Sequence, residues 1–294
     1  MHPPVRLVAI DIDGTLLPGV AQPLRARTGR ALMAAQKAGI VVAIATGRRV
    51  DYTTPVLDGL NLDPSLPLIT SNGVIVRTLG GEQLDNSHLE ARIARGLCTL
   101  LRPYGSLVFT FDHPHGSRVI LENIDQATGR LQLWIEANRK AIEEVPNLEA
   151  AMLDGENPIQ GMAAGSVYQM REAEKAILDS PWASECECVK TEYPARDLSI
   201  LDLLPLGISK GWALQRLAAR LGIDRKEVMA IGDNWNDLEM LKFAGQAVLM
   251  GNAPPELRVL AKTTGWRLAP RNDQDGVAVI LEEVLAKQKA ALRN

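Results

Sequence analysis

Asp11 and Asp13 stand one residue apart at the end of an apolar run, Val8-Ala9-Ile10-Asp11-Ile12-Asp13-Gly14-Thr15-Leu16-Leu17. Such a run reads as a buried strand, and alternate side chains of a strand share one face. Both carboxylates can therefore converge at the strand's carboxyl end, where they repel unless a cation or a shared proton lies between them. That pattern suits a metal site or a proton-transfer site. Two blander readings stay open here: a strand closing in a solvated Asp-Gly turn, and a calcium loop. The calcium reading fares poorly, because Leu16, Leu17 and Pro18 follow where further oxygen ligands would be needed.

Three more polar clusters occupy comparable places. Thr46 follows the apolar run 40–45, in Ala45-Thr46-Gly47-Arg48. Lys210 opens a helical stretch after Gly207-Ile208-Ser209. Gly232-Asp233-Asn234-Trp235-Asn236-Asp237 ends the run 227–231. Each alone has an ordinary explanation: a lysine at a helix start is usually solvated, and an Asp/Asn-rich loop often only caps a helix. Together they matter, because open parallel sheets bind ligands outside the carboxyl ends of their strands.

The elements that must position these residues can be read from periodicity. A strand, a helix stopping at Gly39 and a second β-branched strand fill the first 45 residues, which makes a βαβ unit with parallel neighbours. A helix near 50–60 and a short strand at 67–70, ending in Ser71-Asn72-Gly73, continue the rhythm. From about residue 83 the texture changes to a helix at 88–101 and hairpin strands at 107–111 and 118–121. A long helix at 125–144, a strand at 160–164, a helix at 167–178 and an edge strand at 185–190 complete that stretch. The βα rhythm resumes near Asp197. The apolar run 198–204 is expected to be an α/β strand, followed by a helix from Ser209 to Gly222, strands at 227–231 and 247–250, and a closing helix at 277–289. The expected fold class is α/β: a Rossmann-like parallel-sheet core from residues 1–82 and 197–294, with an α+β domain, residues 83–196, inserted into it.

Bulk properties narrow the function classes. With 294 residues, 46% hydrophobic and 23% charged, the chain can form one large domain or two modest ones. A net charge of −3 gives no electrostatic footprint for nucleic acid. The opening residues lack a signal-peptide pattern, and no apolar stretch approaches the roughly 20 residues needed to span a bilayer. Three cysteines do not make a disulfide framework, and Cys186 and Cys188 lack partners for a zinc site. A cytoplasmic protein with reduced thiols, without nucleic-acid or membrane partners, is expected.

In their order and positions after strands, the clusters resemble the haloacid dehalogenase-like superfamily of phosphotransferases. Asp11-Ile12-Asp13-Gly14-Thr15 matches the first motif, Thr46 the second, Lys210 the third and Gly232-Asp233-Asn234-Trp235-Asn236-Asp237 the fourth. Ala45-Thr46-Gly47-Arg48, Ser71-Asn72-Gly73, Gly207-Ile208-Ser209-Lys210-Gly211 and Asn272-Asp273-Gln274-Asp275-Gly276-Val277 look like the Cof-type subgroup, which carries a type IIB α+β cap where the insert lies. The resemblance implies a phosphatase acting on small phosphorylated metabolites, sugar phosphates or related monoesters, through an aspartyl-phosphate. A phosphomutase with the same aspartate pair, or a non-catalytic ligand-binding protein, is the alternative. No oligomeric state is implied.

The same resemblance assigns roles. Asp11 would be the nucleophile and Asp13 the acid/base. Mg²⁺ would be held by Asp11, Asp233 and the backbone carbonyl of Asp13, for Mg²⁺ takes few protein carboxylates and binds substrate phosphate. Thr46 and Lys210 would meet the transferring phosphoryl group. Gly47, Arg48, Asn72 and Asn236 would line the phosphate site, and Asp237 would position metal-bound water or Lys210. Trp235 departs from the small or acidic residue common at its position, and would either narrow the site mouth or pack at a helix start. His113, His115 and Arg118 in the insert would either meet a phosphorylated sugar or form an exposed hairpin turn.

Overall fold

The computed structural model describes residues 3–19, 22–113, 116–153 and 155–291. Their contacts divide the chain into two units, Met1–Asp85 with Lys210–Asn294, and Asn86–Ser209.

The strands, in chain order, are β1 (Leu7–Ile10), β2 (Val41–Ala45), β3 (Pro67–Thr70), β4 (Ile75–Thr78), β5 (Gln83–Asn86), β6 (Ser106–His113) and β7 (Gly116–Leu121). They continue as β8 (Ile142–Glu144), β9 (Gln160–Gly165), β10 (Cys186–Tyr193), β11 (Leu198–Pro205), β12 (Val228–Gly232), β13 (Gln246–Leu249) and β14 (Arg267–Leu268). The first unit is built on an eight-stranded sheet in the order β14-β13-β12-β1-β2-β3-β4-β5. Pairing is parallel from β14 through β3, and β4 runs antiparallel to β3.

Both faces of this sheet are apolar because both are covered. Val8 and Ile10 pack with Leu32 of the helix Ala26–Lys37 and Leu281 of the helix Gly276–Ala291. Leu7 and Ala9 pack on the other face with Leu214 of the helix Lys210–Arg220 and Met240 of the helix Leu238–Phe243. The chain builds outward from β1 to β2 and β3, and later from β12 to β13 and β14 on the other side. The strand order thus reverses at β1/β12, where such sheets open a crevice. Ile10 is in register with both Ile44 and Ile231, so the carboxyl ends of β1, β2 and β12 lie side by side.

The second unit is a six-stranded sheet in the order β10-β11-β9-β6-β7-β8. One face packs Phe109 and Leu203 against Leu97 and Met170, from the helices Ala91–Leu101 and Val167–Leu178. The other packs Val108 and Met162 against Leu131 of the helix Ile124–Asn138.

Two expectations are corrected here. The apolar run at 198–204, expected among the α/β strands, is β11, antiparallel between β10 and β9 in the second sheet. A continuous apolar run shows only that both faces are buried, and an interior strand of either sheet meets that condition. The expected helix 125–144 ends at Asn138, and Ile142–Glu144 pairs with β7 as an edge strand.

The helix Lys210–Arg220 approaches the helix Leu238–Phe243 closely at Gly211. A Cβ there would lie 2.5 Å from the backbone carbon of Glu239 and 2.6 Å from its carbonyl oxygen. A rotamer change cannot relieve a clash with backbone. Alanine normally gains about 1 kcal/mol over glycine inside a helix, yet overpacking costs about 1–3 kcal/mol. Gly211→Ala is therefore expected to destabilise the protein, read as a lower denaturation midpoint at unchanged slope.

Candidate active site

The four clusters meet at the carboxyl ends of β1, β2 and β12. Asp11 leaves β1 with its amide donating to the Ile231 carbonyl (3.0 Å), and the Thr46 amide donates to Ile69 (2.8 Å). Lys210, the first residue of its helix, is fully buried, and its Nζ donates to Asp11 Oδ1 and Asp237 Oδ1, each at 2.7 Å. The second Asp237 oxygen accepts the amides of Asp233 (2.8 Å) and Asn234 (3.1 Å). Asp237 thus ties the loop after β12 to the lysine.

Asp233 is held from both sides. Thr15 Oγ1 donates to its Oδ1 at 3.0 Å, and Asn252 Nδ2 to its Oδ2 at 3.2 Å. A side chain at Gly14 would collide with it, since a Cβ there would lie 2.3 Å from Asp233 Oδ2 and the backbone φ is +86°. Only glycine lets the first loop approach this carboxylate.

Arg48, expected among the phosphate-binding residues, forms a two-pronged pair with Asp13: Nε to Oδ2 at 2.7 Å and Nη2 to Oδ1 at 2.5 Å. Thr46 is buried, and its Oγ1 accepts the Arg48 amide at 3.1 Å. Asn72 is buried in a left-handed conformation (φ 54°), and its Oδ1 accepts from Asn236 Nδ2 at 3.3 Å. Gly47 lies against it, for a Cβ there would be 3.1 Å from Asn72 Nδ2. Trp235 is partly buried against the apolar cluster of Leu214 and Met240, which matches the packing alternative.

A profile of haloacid dehalogenase-like hydrolases matches residues 8–281. The chain belongs to this family. A 5-amino-6-(5-phospho-D-ribitylamino)uracil phosphatase of Bacillus subtilis is 27% identical to this hydrolase, over 97% of this chain and 100% of the relative. An HMP-PP phosphatase of Cronobacter sakazakii is 31% identical over 86% of each chain. The fold is also that of a solved subclass IIB sugar phosphatase, at TM-score 0.76 and 24% identity, covering 95% of this chain and 98% of the other.

The hydrolase's site has a charge imbalance suited to a metal ion. Asp11, Asp13, Asp233 and Asp237 face two cations, Lys210 and Arg48. Asp11, Asp233 and Asp237 each offer an oxygen within 4.8 Å of the others. Burial, reinforced by the charge of Asp237, pushes Asp11 up to about 7. Burial, then Asp11 and Asp237, also raises Asp233 well above the ordinary carboxylate range. Burial alone would lower Lys210, but the opposed charges of Asp11 and Asp237 outweigh it and raise it. A divalent cation would relieve the carboxylates. Asp237 already spends both oxygens on Lys210 and the loop amides, so Asp11 and Asp233 are the side chains suited to hold one.

In the inserted unit, Arg118 pairs with Glu143 (2.7 Å) and Glu156 (3.0 Å), and His113 lies 3.4 Å from Glu156. The β6–β7 hairpin pairs His113 with Gly116, as the turn alternative requires. His115 lies outside the described residues. The three cysteines are free. No helix among the described residues is long and apolar enough to cross a membrane.

Sequence reasoning missed Asn252. Its Nδ2 also donates to the Gly14 carbonyl (2.7 Å), its Oδ1 accepts the Asn272 amide (3.0 Å), and Asn272 Nδ2 donates to the Leu17 carbonyl (2.9 Å). It lies three residues past the end of β13, at the same end of the sheet where Asp233 directly follows β12, so the strand-end rule could have flagged its loop. Partners that orient metal ligands typically cost about 10–100-fold in metal affinity when removed. Asn252→Ala is expected to weaken divalent-cation binding by about that factor, measured by titration calorimetry.

The raised Asp11 value also sets a pH dependence. In the metal-free protein its protonated form stabilises the fold below the ordinary carboxylate range, and this is lost as pH rises through about 7. A cation competes with that proton. The rise in melting temperature on adding Mg²⁺ is therefore expected to be small near about pH 5 and to grow up to about pH 7.

Proposed function

We propose that this chain is a Mg²⁺-dependent phosphatase of small phosphorylated metabolites, most suited to sugar phosphates or related monoesters, working through an aspartyl-phosphate on Asp11. The observation that carries this reading is the buried Lys210 bridging Asp11 and Asp237, beside Asp13 and Asp233 at the reversal of strand order. The phosphatase names of its relatives support the reaction class.

A carboxylate attacks phosphorus only when the phosphate's charge is neutralised. Mg²⁺, bound by Asp11, Asp233 and the Asp13 carbonyl, would supply part of that charge. Lys210 keeps Asp11 oriented and adds positive charge beside the attacking oxygen. Thr46, Gly47, Asn72 and Asn236 cradle the transferring group in this reading. Asp11 forms its bond to phosphorus as the ester P–O bond breaks, and Asp13 gives its proton to the leaving oxygen. Asp13 then takes a proton from water. The resulting hydroxide displaces Asp11, releasing inorganic phosphate. Retention of Asp13 separates rapid hydrolysis from a long-lived phosphoenzyme. The inserted unit is the cap, and it supplies leaving-group selection.

Asp11→Asn is expected to lower phosphate release at least about 1,000-fold. A panel of phosphorylated metabolites assayed with Mg²⁺ and with chelator checks both parts. Full release by Asp11→Asn would overturn the covalent mechanism, and release unaffected by chelator would overturn the metal requirement.

A further inference from the structure

Arg48 and Tyr52 are not used by the mechanism above, yet they surround its acid/base. The Arg48 guanidinium meets both oxygens of Asp13 in a parallel, two-bond geometry. Its carbon lies 4.4 Å from the centre of the Tyr52 ring. Only 7% of the arginine side chain is exposed, against 25% for Asp13. The Arg48 backbone is fixed as well: its amide donates to Thr46 Oγ1 and its carbonyl accepts from the Ser71 amide at 2.9 Å. The arginine is thus anchored along its length, and the more exposed carboxylate is the group being held.

We propose that Arg48, braced by Tyr52, is a positioning residue that orients Asp13 for proton transfer to the leaving oxygen. This rests on the phosphoryl-transfer reading. A carboxylate offers about four lone-pair sites, two on each oxygen. The guanidinium occupies one on each and stops rotation of the carboxylate plane, leaving the outward-facing sites to carry the transferable proton. When Asp13 releases that proton to the leaving oxygen, the carboxylate formed is stabilised by its arginine partner. When Asp13 takes a proton from water in the second half, the same pair keeps the accepting oxygen in place. Arg48 keeps its own protons throughout.

The rival role, phosphate ligation by Arg48, predicts a different pattern of loss. The phosphoryl group is common to all substrates, so a lost phosphate ligand harms every ester alike. A misaligned general acid harms esters whose leaving oxygen needs a proton. Alkyl phosphates such as glycerol 2-phosphate need one, whereas 4-nitrophenyl phosphate releases a stable aryl oxide without it.

The test compares kcat/KM for these two esters in Arg48→Gln, Arg48→Lys and Tyr52→Leu, alongside the wild-type protein and Asp11→Asn. That constant reports only the steps through departure of the leaving group and not the shared hydrolysis of the phosphoenzyme. Arg48→Gln is expected to lower the alkyl-to-aryl ratio of kcat/KM by about 10–100-fold, part of the usual range for general acid catalysis. Arg48→Lys keeps the charge but lacks the planar fork, and is expected to shift the ratio in the same direction. Tyr52→Leu should do so more weakly, and it carries the test if the Arg48 variants fail to fold. Inhibition by inorganic phosphate should change less than about 3-fold, far below the loss expected for a direct charged hydrogen bond. Equal loss on both esters, with phosphate inhibition weakened in proportion, would overturn the proposal. Inactivity of Asp11→Asn on both esters leaves the phosphoryl-transfer reading standing in that case, whereas turnover by Asp11→Asn would remove the reading itself.

Discussion

A fully buried lysine is tolerable only when its charge is met, and Lys210 meets two carboxylates at 2.7 Å each. Desolvating an ammonium group costs several kcal/mol even after relaxation. Removal of one partner would leave a buried charge poorly compensated, so the lysine, Asp11 and Asp237 act as one unit. The rest of the site follows from keeping that unit assembled. Asp237 fixes the loop that presents Asp233, and the glycine at position 14 lets the first loop close on it. The outcome is a region with more negative than positive side chains, suited to a cation.

The sheet makes that unit affordable by bringing its members together from distant parts of the chain. β1 is flanked by β2 and β12, and the shared level of Ile10, Ile44 and Ile231 sets the height at which each strand ends. Rigid, doubly covered strands thus define the spacing of the reactive groups, while short loops only complete it. This division resembles other sites in which a stiff scaffold carries loop-borne chemistry.

Much of this was legible in the sequence because strand-end carboxylates, the lysine and the glycine turn are locally encoded. Asp11, Thr46, Lys210 and Asp233 each follow an apolar run or begin a helix, and those runs needed no partner to be recognised. What required the structure was pairing. The run from Leu198 is equally good as a strand in either sheet, and its neighbours decided the matter. Arg48 could be placed near the site, but its side chain can reach several groups, and only geometry put its fork on Asp13. Asn252 carries no charge and no motif that demanded notice; its importance lies in the bonds by which it joins Gly14, 238 positions away, to Asp233 and Asn272.

Those bonds have a consequence for synthesis on the ribosome. Asn252 and Asn272 tie the loop at Gly14–Leu17 to segments 238 and 255 positions later. β12 reaches β1 only after the whole inserted unit has been made. A nascent chain that has reached only the inserted unit therefore carries Asp11 but still lacks Lys210, the loop of Asp233 and the asparagine latch. The site of this hydrolase is withheld by topology until those later segments have been made.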